Sequence, residues 1–297
     1  MYLVYASAHG HAFLDRALYL PKSWADDADR RTEAGVPADV QFATKPALAR
    51  AMIARALDAG APARWVAGDE VYGADPQLRQ DLQQRGIGYV LAVASNHRVQ
   101  TSAHTAATAA DLAGQLPGRA WHQRSCGAGA KGQRTYRWAW IELTVPDAPG
   151  CHWLLIRRNP RTGELAFYRA HAPHPVTLAE LARVAGRRWT IEESFQAGKE
   201  LAGLDEHQVR RWTSWHRWTV LAMLAHAFLA VTAAAEHARA APPDGLIPLT
   251  LNEIRRLFTR LPTPPTHNRA HLLHWSRWRR RHQAVARACH YHRQKPR

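Results

Sequence analysis

Four residues past the middle of the chain have spacing that chemistry can use. Arg188, Glu192, Phe195 and Lys199 fall at i, i+4, i+7 and i+11. At about 100° per residue these positions share one narrow helical face. The stripe sets one carboxylate between two cations, and it also fits an ordinary exposed helix with i,i+4 pairs. A second carboxylate, Asp69, closes the apolar run from Arg64 to Tyr72 (RWVAGDEVY). The C-terminal ends of strands are where α/β proteins place ligands, but a turn or cap residue ahead of Gly73 reads equally well. Carboxylates that hold metal ions serve reactions that need an activated oxygen nucleophile and a stabilised leaving oxygen. Two divalent ions a few ångströms apart supply both, and hard Mg²⁺ or Mn²⁺ takes carboxylate oxygens.

Strand, helix and strand must deliver Asp69. Asp75 and Pro76 form an N-cap and N1 pair ahead of QLRQDLQQR, Gly86 stops that helix, and YVLAVA (89–94) is the next strand. This order implies a parallel pair with a crossover. Upstream, YLVYASA and AFLDRALYL around His-Gly-His read as a hairpin with Asp15 on its second strand, and Lys45 to Ala59 reads as a helix. From about residue 96 to 174 glycines and the runs TYRWAWIELTV, HWLLIRRN and ELAFYRA indicate a β-rich segment. There Trp138, Trp140 and Trp153 read as sheet core, and some of Arg134, Arg137, Arg157 and Arg158 as DNA contacts. The apolar run Thr219–Ala235 reads as a buried core helix rather than a membrane span. Thr250 with Glu253 is a capping box, and prolines at 262, 264 and 265 form a linker to a basic tail.

Composition narrows the partner. Lys plus Arg number 40 against 24 Asp plus Glu, a net charge of +16 in 297 residues. That excess points to a polyanion, nucleic acid before a membrane surface. Hydrophobic and charged fractions of 46% and 22% are those of a globular chain. The three cysteines are far apart, which suggests neither a zinc site nor a disulfide framework and fits a reducing cytoplasm. The tail arginines Arg277, Arg279, Arg280 and Arg281 are candidate phosphate contacts, as are Arg210 and Arg211 ahead of the apolar helix.

The pattern Arg-x-x-x-Glu-x-x-x-x-x-x-Lys at Arg188, Glu192 and Lys199 resembles the signature helix of DDE transposases of bacterial insertion sequences. Ala185 stands where that family usually has Tyr. Residues 63–93 resemble the family's second-Asp strand with the helix and strand that follow. With residues 19–37 included, the resemblance runs from the first residues to about Ala235.

The resemblance implies an α/β fold: a ribonuclease-H-like mixed sheet with flanking helices, a β-rich insertion and a basic helical C-terminal tail. The corresponding segments are 1–95, 96–174, 175–240 and 241–297. It implies that Asp69 and Glu192 are metal-ligating catalytic carboxylates for two Mg²⁺ or Mn²⁺ ions. Arg188 and Lys199 would contact phosphates of double-stranded DNA, at transposon ends and target, within a homodimer on DNA. The family's first Asp lies on a strand before the opening hairpin, so the reading expects an N-terminally truncated, catalytically incomplete transposase in the bacterial cytoplasm, with no membrane partner. A non-catalytic DNA-binding remnant is the alternative, and an unrelated metal-dependent nuclease using Asp15 is the third.

Overall fold

The computed structural model describes residues 1–101, 106–129, 132–146, 148–239, 242–243, 245–261 and 268–293. The linker prolines 262, 264 and 265 lie outside them. In chain order, β1 (Tyr2–Ala6) and β2 (His11–Arg16) pair as an antiparallel hairpin. The charged stretch after it holds α1 (Lys22–Ala25) and α2 (Ala28–Ala34). Helix α3 (Lys45–Asp58) is capped by Thr44. Then come β3 (Trp65–Gly68), α4 (Glu70–Gly73), α5 (Pro76–Gln84) and β4 (Gly88–Val93). A small pair, β5 (Arg98–Gln100) and β6 (Ala106–Thr108), leads to α6 (Ala109–Gly114). Four long strands follow: β7 (His122–Gly129), β8 (Gly132–Glu142), β9 (Cys151–Arg158) and β10 (Leu165–Ala172). The remainder is helical, with α7 (Leu178–Arg187), α8 (Thr190–Ala202), α9 (Trp212–Arg239), α10 (Leu251–Arg260) and α11 (Arg269–Arg293).

Residues Ala43–Gly129 and Gln133–Trp189 form one compact unit. Its six-stranded sheet runs β3-β4-β10-β9-β8-β7, with β3 and β4 parallel and β10 antiparallel to both β4 and β9. Four strands of 96–174, β7 to β10, therefore continue the sheet that β3 and β4 begin, while β5 and β6 pair separately. One face packs on α7 through Leu181, Ala182 and Ala185 against Trp138, Trp153 and Leu155. The other carries Leu154, Ile156 and Phe167 against α6. Trp138 and Trp153 are core, as expected, and Trp140 stacks on Trp153 with ring centroids 5.5 Å apart. A mixed sheet flanked by helices is consistent with the ribonuclease-H-like fold.

Residues Met1–Phe42 and Thr190–Arg297, with the short piece Ala130–Gly132, form the other unit. Here the hairpin residue Phe13 is buried with Leu204 and Ala222, flanked by Tyr2, Val4 and Phe195. A second cluster joins α9 to α10 through Leu229, Ala233 and Ile254. Helix α9 buries Thr219, Ala222, His226, Leu229, Ala230 and Ala233 on one side. On the other side Leu221, Leu224 and Val231 remain 63%, 63% and 66% exposed. The expectation of a buried core helix thus holds for one face only, because apolar residues surround the helix while its packing partners meet one side. Among the described residues α9 is long and apolar enough to cross a membrane, with 28% of its apolar window buried.

Each unit carries one deeply buried histidine. His171 is 1% exposed and packs on His152 at 4.6 Å between ring centroids. His226 is 0% exposed, and neither ring nitrogen has a hydrogen-bond partner. Burial, assisted by the neighbouring His152 or His11, lowers both to about 4. Both folded values lie below the ordinary 6.5, so between pH 6.5 and 4 the unfolded chain binds more protons. The stability they contribute is present above pH 6.5 and is lost as pH falls toward 4, by about 3 kcal/mol per histidine. Urea-unfolding midpoints between pH 7 and 4 check this, and His226→Leu is expected to flatten the acid limb.

Candidate active site

Asp69 sits one residue past the end of β3, at the C-terminal end of a parallel pair, and is exposed. It is also the N-cap of α4, its Oδ1 accepting from Val71 N at 3.0 Å. Asp69 thus stands at the strand's C-terminal end and caps the next helix, and the cap uses one carboxylate oxygen. Close packing fixes the turn. Gly73 lies so near β4 that a Cβ there would meet the Ala92 carbonyl oxygen at 1.8 Å, and a Cβ on Gly68 would press on Leu91 and Tyr72. Only glycine at 73 lets α4 lie against the strand, which holds Asp69 at its start.

Glu192 is exposed in the first turn of α8, where the helix dipole favours a carboxylate. Lys199 is exposed in the last turn, seven residues on and therefore on the same side. The opposite side is anchored to the hairpin. Thr190, Ser194 and Gly198 are buried, and a Cβ on Gly198 would come within 2.8 Å of the Phe13 ring. Ser194 Oγ donates to the Thr190 carbonyl at 2.8 Å and lies 2.7 Å from His11 Nδ1. With the serine proton committed, His11 Nδ1 is the donor in that second bond. His11 Nε2 is 3.8 Å from Glu193. The hairpin thereby grips the turn of α8 that presents Glu192. Sequence reading missed His11 and Ser194, for they stand 183 positions apart.

The expected continuous stripe from Arg188 to Lys199 is interrupted. Helix α7 ends at Arg187, and the amides of Arg188 and Trp189 bond three residues back, to Ala185 and Gly186, at 3.4 and 3.3 Å. That tightening closes the helix. Arg188 therefore belongs to a turn in the unit of the sheet, while Glu192, Phe195 and Lys199 share α8 in the other unit. The cause is packing: α7 commits its apolar face to the sheet, and α8 commits its small-residue face to the hairpin. Burial pushes the Tyr168 phenol up, and the charges of Arg157 and Arg188 draw it part of the way back.

Several of the expected phosphate-contacting arginines already have partners. Arg279 bonds Glu253 through Nε at 2.7 Å and through Nη2, and Arg280 Nε donates to the Ile247 carbonyl at 2.9 Å. Arg281 and Arg210 are exposed. Arg211 donates to the Glu33 carbonyl and, with Arg217, Thr213 and Ser214, lines a cavity of about 480 Å³ at the start of α9. Among the described residues no three or more His, Cys, Asp or Glu side chains gather as a metal shell. Asp69 and Glu192 have the hard oxygen donors that Mg²⁺ takes, and each lies in a different unit. Asp15 is partly buried on β2, its Oδ1 accepting from Arg16 N at 2.7 Å.

Residues 1–144 match the DDE superfamily endonuclease family. Over that segment the chain is similar to DDE superfamily endonucleases. The matched segment contains Asp69 and stops before Glu192. No curated protein gives a significant match to it. Nucleases of this superfamily generally use divalent metals, and their substrate is DNA.

Proposed function

We propose that the chain is the catalytic region of an insertion-sequence transposase, built for DNA cleavage and strand transfer with Mg²⁺ or Mn²⁺, with a carboxylate set that is incomplete in the chain alone. The observation that carries this reading is the family match over a segment in which Asp69 stands exposed at the end of a parallel strand. Asp69 and Glu192 are its proposed metal ligands, and Asp69 keeps one carboxylate oxygen outside its cap. When bound, two metal ions supply charge neutralisation at the phosphate and an activated oxygen nucleophile. The chain's own part is to hold those carboxylates, through the Gly73 contact and through the His11–Ser194 bond, and to bind the DNA backbone with cations.

Arg188, Lys199, Arg210, Arg211 and Arg281 are the proposed phosphate contacts, joined by Arg279 and Arg280 where their existing bonds allow. Transposon ends and target are the proposed DNA partners, engaged by a dimer, and the bacterial nucleoid is the proposed location. The second reading, a DNA-binding chain without chemistry, is favoured by the lack of a three-residue metal shell among the described residues.

The test is incubation of the purified chain with supercoiled plasmid. Nicking by the chain alone is expected to be weak, to require Mg²⁺ or Mn²⁺ and to stop in chelator. DNA binding that persists with no metal-dependent nicking would leave the second reading standing.

A further inference from the structure

We infer that the cavity between α10 and α11 is a nucleotide site that takes an unpaired nucleotide of a DNA strand, with its base on Trp275 and its phosphate among Arg256, Arg260 and Arg279. The DNA source rests on the function proposed above; the cavity lies wholly within one unit. Its volume is about 340 Å³, and besides those four residues Leu257, His271 and Leu272 line it. Arg256 and Arg279 share one carboxylate. Glu253, 3% exposed, is held by Arg279 and lies 3.9 Å from Arg256 Nη1. Two guanidiniums sharing one carboxylate leave an excess of one positive charge beside the cavity for a ligand to meet.

The wall is built for a flat group as well as a charged one. Trp275 is 42% exposed, and its indole Nε1 donates to His271 Nε2 at 3.0 Å. An indole N–H only donates, so His271 Nε2 is the acceptor in that bond. With its polar edge used, Trp275 offers the cavity an aromatic surface, and the two leucines add apolar walls. The frame is set before any ligand arrives, because Glu253–Arg279 and Arg280–Ile247 tie α11 to α10 and to the segment before it. A phosphate with an attached base satisfies cations and ring together. In duplex DNA both faces of a base are stacked on neighbours, so the site selects unpaired nucleotides such as an overhang.

Fluorescence anisotropy in chelator, with a labelled duplex bearing a three-nucleotide overhang and its blunt counterpart, tests this. Trp275→Ala is expected to weaken overhang binding by about 5- to 150-fold, the worth of one base stacked on an aromatic ring. Trp275→Phe should recover most of that, and blunt-duplex binding should change less than about twofold. Arg256→Gln with Arg260→Gln should weaken overhang binding and make it less salt-dependent. Thermal melts matched to the parent chain show that each variant is folded. Equal losses on both duplexes, or no loss on either, overturn the site. A free mononucleotide that competes as well as the overhang strand overturns the DNA assignment. Metal is absent throughout, so the outcome stands apart from whether the chain cleaves DNA.

Discussion

Replacing Asp69 by Asn, or Glu192 by Gln, is expected to lower metal-dependent DNA nicking about 1,000-fold while leaving DNA affinity in chelator within about twofold. Losing a metal-ligating carboxylate removes several kcal/mol of charge stabilisation, and about 4 kcal/mol is three decades in rate. Both side chains are exposed, so folding should survive either change. Asn caps a helix about as well as Asp, which keeps the Val71 bond and the start of α4. Glu192→Gln forfeits a dipole interaction of about 0.3–1 kcal/mol. The contrast is Lys199→Ala, which should weaken binding to all sequences alike and reduce its salt dependence. Plasmid nicking beside anisotropy in chelator separates the two behaviours. Unchanged nicking in Asp69→Asn would remove Asp69 from the chemistry.

The route to Asp69 was legible because every signal in it is local. The Asp75 and Pro76 start, the Gly86 stop and the apolar runs on either side lie within thirty residues, and β3, α5 and β4 form as they direct. Periodicity misled at Arg188. Counting by 100° assumes an unbroken helix, and nothing in the arithmetic registers that residues before 188 pack on a sheet while those after 190 pack on the hairpin. The same limit applies to α9, where an apolar run reports hydrophobicity but not which side has a partner. What holds Glu192 in place, the His11–Ser194 bond, was invisible for a different reason: a polar pair so distant in sequence leaves no periodic trace.

The tail shows that limit with the largest energetic consequence. A run of basic residues reads as a phosphate-contacting arm, yet Arg279 is the partner of a carboxylate that is 3% exposed. Removing one member of a buried pair strands the other, so Arg279→Ala is expected to destabilise the chain by about 3–5 kcal/mol. Exposed Arg281→Ala, two residues on, should cost no more than about 0.5 kcal/mol. The pH dependence tells the pair apart from simple packing. Burial works to raise the Glu253 carboxyl, but the bonds from Arg279 and Ser276 and the charges of Arg279 and Arg256 outweigh it and hold the group below its ordinary 4.5. A depressed carboxylate contributes stability above its unfolded value and loses it as pH falls through the folded one. The parent chain should therefore weaken in acid at this site. In Arg279→Ala burial stands with less opposition, so mild acid that protonates Glu253 should recover part of the loss. Replacing both Glu253 and Arg279 by leucine should recover most of it at neutral pH. Urea-unfolding midpoints of the parent and these variants at pH 7 and 5 measure each effect. An Arg279→Ala midpoint equal to that of Arg281→Ala would mean that the buried carboxylate does not depend on its arginine.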